Sequence, residues 1–185
     1  MDNIVNDVKN LVASVIVGTG DVASTTRDTA KDFVVKTLQG TGEIVDTGMT
    51  TISDVVTGGI DAVAAAGSSM TDGVAGLVQG VIEGAKNVGI STTDATASAA
   101  SSAVKSASGV GGDIGSVAVG AVEGAIKAAG VIGADTGELA KHAVLGTLKS
   151  ADEISSEAGS IVRKALLSAA TLPHDLIDAL ISGKS

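Results

Sequence analysis

The 185-residue sequence contains no cysteine, tryptophan or tyrosine, one phenylalanine and one proline. Without cysteine there are no disulfides, no thiol catalysis and no thiolate metal sites. Without aromatics a compact core loses its largest packing units. Basic residues are also scarce: 12 Lys and Arg stand against 21 Asp and Glu, a formal net charge of -9. That excludes a nucleic-acid partner, which needs basic patches and stacking aromatics. It also argues against tight binding to strongly anionic lipid surfaces. Small and apolar residues are plentiful instead, with 25 glycines, 44% hydrophobic residues and a mean hydropathy of +0.43. A chain this apolar is not a solvated disordered one.

The start, MDNIVNDVKN, carries acids early and lacks the basic region of a signal peptide. The expected location is cytoplasmic, either free or peripheral at a membrane or lipid surface. The most membrane-like window, Gly115–Gly133, is long enough to span a bilayer but holds Glu123 and Lys127. Two charges one helical turn apart point to an amphipathic helix rather than a spanning one.

A repeat organises the chain. Cut every eleven residues from Met1, the sequence gives sixteen full units and a nine-residue remainder. Slot eleven, from Leu11 and Val22 through Ile154 to Leu176, is apolar in every unit. Slots one, eight and eleven together hold 50 positions and one charged residue, Lys184. At 18% charged residues overall, chance would place about nine there. Eleven residues in three turns is close to the α-helical period. Slots eleven, four, eight, one and five then form one broad apolar arc. Slots six and ten lie opposite and collect charges, among them Asp28, Asp61, Asp72, Glu83, Asp94 and Lys105. They are expected to be solvated, with helix-spaced pairs such as Asp32–Lys36 and Glu123–Lys127. Strand-like alternation is patchy, as at Val117-Ala118-Val119, so a β-solenoid does not fit.

Loops usually shift a helical register, yet this register survives end to end. The reading is therefore all-α: a long, nearly continuous amphipathic helix over residues 1–171. Phase-keeping kinks are expected near 89–91, 109–112 and 133–137. Thr171-Leu172-Pro173 is the strongest boundary, because threonine caps and proline suits a first turn. Residues 172–185 then form a short amphipathic helix and tail. Interior glycines cost about 1 kcal/mol each against alanine, so the helix needs something to cover its arc.

The sequence does not point to an enzyme. The terminal Ser182-Gly183-Lys184-Ser185 lacks the earlier glycine of a phosphate loop, where Asp178 stands. Gly18-Thr19-Gly20 and Gly40-Thr41-Gly42 lack the third glycine of a dinucleotide fingerprint. Glu138 and His142 share a helix face, but two ligands do not make a metal site. No catalytic residue, cofactor or metal is expected.

"GVAGLVQGVIEGAKNVG" (Gly73–Gly89) and "TGEIVDTGMTTISDVVTGGIDAVAAAG" (Thr41–Gly67) resemble the eleven-residue amphipathic repeats of perilipins and synucleins in repeat length, composition and missing aromatics. The resemblance implies long helices formed on lipid droplets or vesicles. The acidic charge departs from it and leaves neutral lipid surfaces as the implied partner. The period is also that of right-handed coiled coils. An arc near half the helix suits a helix with neighbours on both sides, so the expected function is a non-catalytic scaffold. Its helices assemble side by side into a homo-oligomeric bundle or tube, with the C-terminal tail free to dock other proteins. The alternative is a lipid-droplet or membrane-surface coat. The expected helix-packing interface comprises Val34, Val45, Val56, Val63, Val74, Val78, Ala107, Ala118, Ala129, Ala140 and Ile154. The closest contacts are expected between Gly89 and Ala151, where slots one and eight are small.

Overall fold

The computed structural model describes residues 2–39 and 45–183. Among them it has nine α-helices and no strand: α1 (Asp2–Thr19), α2 (Val22–Leu38), α3 (Val45–Ala65), α4 (Met70–Asn87), α5 (Thr92–Gly109), α6 (Ile114–Ile132), α7 (Thr136–Ile154), α8 (Ser156–Ser168) and α9 (His174–Ser182). The chain is all-helical, as its periodicity predicts. It is not the long, nearly continuous helix that the unbroken register suggested. It is a multi-helix bundle of separate helices.

The expected kinks are full helix ends. Gly67, Gly89, Gly111 and Gly133, twenty-two residues apart, all adopt the left-handed conformation, with φ of 64°, 80°, 68° and 71°. A left-handed glycine just past a helix lets the next amide reach back and satisfy a last-turn carbonyl. Ile90 N donates to the Ala85 carbonyl at 2.9 Å, Gly112 N to Ala107 at 2.7 Å and Ala134 N to Ala129 at 3.0 Å. Two residues after each glycine comes an N-cap: Ser69, Ser91, Asp113 and Asp135. Their side chains accept from the amides of Asp72, Asp94, Ser116 and Glu138 respectively. One helix plus one turn thus spans two eleven-residue units. From α4 to α7 each helix starts in the same slot, the fourth, at Met70, Thr92, Ile114 and Thr136, and this is why the register could not reveal the breaks.

Every helix packs only against the next helix and the next but one, among the described residues. Odd-numbered helices make one row and even-numbered helices the other, the neighbour-only contact scheme of repeat proteins. Next-but-one helices run parallel: Ser53 and Thr57 of α3 pair with Ser102 and Ser106 of α5, each 49 residues on. Consecutive helices are therefore antiparallel. The arc faces the space between the rows, where Val55, Val56, Ile60, Leu77, Val78, Ile82, Val104 and Val122 are fully buried. The last helix, α9, starts after Pro173, ends at left-handed Gly183 and buries Ile177.

Candidate packing site and buried ion cluster

Nine of the expected interface residues are fully buried: Val34, Val56, Val63, Val74, Val78, Ala107, Ala118, Ala129 and Ala140. What covers them is the chain itself. Val45 is an exception in that its side chain lies outside the described residues. Ile154, the last residue of α7, is 40% exposed because the helix stops there and Ser155 leaves in extended backbone. Leu11 and Val110, in the same slot, are also exposed, at a row end and at a turn.

The closest helix contacts are not confined to the central segment. They run along the even row through glycines in slots three, seven and ten, on the flank of the arc. A Cβ on Gly76 would collide with the Ala23 carbonyl, and one on Gly80 with the Arg27 carbonyl. On Gly84 it would meet the Val34 side chain at 3.0 Å. Gly120 and Gly124 of α6 repeat this against the Thr71 and Ala75 carbonyls of α4. In the odd row, Gly58 sits against Val5 and Gly146 against Ala97. Glycines four apart let two backbones touch, as small-residue motifs do elsewhere. Thr26 ties the same seam, its Oγ1 lying 3.0 Å from the Gly73 carbonyl. The periodic reading of the arc missed this second face because glycine on a polar flank carries no hydropathy signal. Its legible trace was the four-residue spacing Gly76, Gly80, Gly84.

The even-row contact sheathes α4, which is buried without interruption from Gly73 to Ala85. Glu83, a slot-six residue expected in solvent, is 2% exposed. With the two backbones in contact, the long side chains of α2 lie over the outward face of α4. Arg27 Nε donates to Glu83 Oε1 at 2.9 Å and its Nη2 to Oε2 at 3.3 Å. Lys31 Nζ is 3.2 Å from Oε2. Gln79 Nε2 donates to Oε1 at 2.9 Å. Burial opposes the Glu83 charge, but the donors from Arg27, Gln79 and Lys31 prevail and hold its carboxyl below the ordinary glutamate value. Asp28, at 71% side-chain exposure, stays in solvent 3.9 Å from Arg27.

Two expected surface pairs, Asp32–Lys36 and Glu123–Lys127, do not close among the described ion pairs. Glu123 instead accepts a hydrogen bond from the Thr171 hydroxyl. Besides Arg27–Asp28 within α2, the pairs that form join helices: Lys105–Glu153 at 3.0 Å between α5 and α7, and a bidentate Arg163–Asp152 at 2.7 Å between α8 and α7. Glu138 and His142 stand on α7 with no further His, Asp or Glu grouped with them for a metal ion, among the described residues. One described helix, α6, is long and apolar enough to cross a membrane, and 56% of that stretch is buried inside the bundle. No family model matches the chain, and no curated protein shows significant similarity to it.

Proposed function

We propose that this protein is a structural scaffold: an array of amphipathic helices, assembled within one chain, that holds its two ends and whatever binds there at a fixed separation. The observation that carries this reading is the backbone contact between next-but-one helices through Gly76, Gly80, Gly84, Gly120 and Gly124. Such seams leave little room to slide, because side-chain rearrangement cannot absorb a displaced backbone. The glycine-rich helices are too weak to stand alone, and the rows supply the cover they need. A lipid coat would need the arc open to lipid, whereas here Val56, Val78 and Val122 lie between the rows.

Far-ultraviolet circular dichroism across about three decades of concentration, with and without neutral lipid emulsion, tests this. Full helicity at the lowest concentration, unchanged by emulsion, is the expected result. Helicity that appears only with emulsion would replace the scaffold by the coat.

A further inference from the structure

Along the odd row, slots ten and six change sign. In α3 they hold Asp54 and Asp61, in α5 Ser98 and Lys105, and in α7 His142 and Lys149, each pair four eleven-residue units after the last. The chain as a whole is acidic, at -9, yet the basic ends of these two columns meet. Lys105, His142 and Lys149 line an open groove of about 340 Å³ between α5 and α7, together with Ser98 and Ser101. Its floor is backbone, because a Cβ on Gly146 would lie 2.8 Å from the Ala97 carbonyl. One turn further on, Ser101 Oγ and Ser150 Oγ are hydrogen-bonded at 2.5 Å and hold the two helices in register. The groove contains one carboxylate, Glu153, at 3.0 Å from Lys105. Lys149 and His142, two turns apart on α7, close no ion pair among the described residues. Two lysines against one carboxylate leave this groove positive on a negative protein.

We propose that the α5–α7 groove binds a small phosphate monoester, with Lys149, His142 and Ser98 donating to the phosphate oxygens. A tetrahedral dianion accepts hydrogen bonds from several directions, which suits an ammonium, an imidazole and a hydroxyl converging from two helices. A planar carboxylate is matched best by a guanidinium fork, and no arginine lines the groove. Two lysines are too few for a polyanion, whose binding grows with the number of phosphates neutralised. Glu153 is the internal competitor: it occupies Lys105 until the ligand arrives. The site goes beyond the scaffold reading and needs only that α5 and α7 pack as they do.

Proton–nitrogen NMR of the full chain, titrated with glycerol 3-phosphate at constant ionic strength, is the test, since added salt alone screens exposed charges. Saturable shifts of the Ser98, Ser101 and Gly146 amides are expected, with a dissociation constant below about 5 mM. Lys149→Met and His142→Ala should each weaken binding about fivefold or more, and Glu153→Gln should tighten it about threefold by removing the competing carboxylate. Lys141→Met, on the same helix but outside the groove, should leave it within about twofold. Circular dichroism checks that each variant is folded. Phosphatidylcholine vesicles containing phosphatidic acid should not bind. Shifts that never saturate, a loss with Lys141→Met equal to that with Lys149→Met, or no tightening with Glu153→Gln overturns the proposal. So does binding to the vesicles without binding to glycerol 3-phosphate, since the groove then meets a lipid surface.

Discussion

Arg27 of α2 holds both carboxylate oxygens of Glu83 of α4, across 56 residues of sequence and over a backbone seam that admits no side chain. The carboxylate is buried while Arg27 keeps a third of its side chain in solvent. Removing the buried partner is therefore the costly change. Glu83→Gln leaves Arg27 and Lys31 facing each other with only the solvent-exposed Asp28 nearby and should lower stability by about 3 kcal/mol. Urea unfolding followed by circular dichroism reads this directly. Glu153→Gln, which breaks only the solvent-exposed pair with Lys105, should leave the midpoint where it was.

The same cluster sets an acid response. Glu83 titrates lower in the folded chain than its ordinary value of 4.5. The unfolded state thus binds its proton first as pH falls. The stabilisation is complete above the unfolded value and is lost as pH drops toward and through the folded one. The stability difference between wild type and Glu83→Gln should accordingly be flat near neutrality and shrink steadily below pH 4.5. A difference that stays constant as the pH falls below 4.5, or that fades on raising the pH, would contradict this assignment.

Two glycines of similar helical context should respond in opposite directions. Gly80 of α4 lies against the Arg27 carbonyl, whereas Gly130 of α6 faces open space. Gly130→Ala should stabilise by about 0.5–1 kcal/mol through helix propensity and the unfolded chain. Gly80→Ala gains the same propensity but must drive α2 off α4, and should be destabilising by about 1–3 kcal/mol net. Thermal melts of the two single variants give the comparison.

Ala107, Ala118 and Ala129 are fully buried inside the chain. Replacing all three by leucine should overfill the space between rows, at about 1–3 kcal/mol per site. The expected result is a cooperative melt shifted to much lower temperature in the monomer itself. If the melt is unchanged and only the particle mass alters, these alanines pack between copies and not within one.

Gly111 closes α5 at a φ of 68° with no neighbour near the position of a Cβ. Gly111→Ala should cost about 1 kcal/mol through backbone strain alone. Gly18→Ala, inside α1 and equally open, should not.

The helical period, the apolar arc and the burial of Val34, Val56, Val78 and Ala118 follow from spacing alone, because a helix buries whichever stripe is apolar. Where the helices end was also written in the sequence, though in a different register. Gly67-Ser68-Ser69, Gly89-Ile90-Ser91, Gly111-Gly112-Asp113 and Gly133-Ala134-Asp135 place a left-handed stop two residues before a cap. A slot count averages over that signal, since a turn that preserves phase looks like uninterrupted helix.

What the sequence by itself determined is local: helix type, the stripe each helix buries, and the points where glycine and a capping side chain make a turn cheap. Which helix covers which stripe was decided only by the tertiary structure. Hydrophobic burial is non-directional, so the same arc is satisfied by a second copy, by lipid or by the chain's own neighbours. Glu83 shows the difference most plainly. Its slot is polar and its helix position outward. It is buried only because glycines three and seven residues before it draw α2 close enough for Arg27 and Lys31 to close over it.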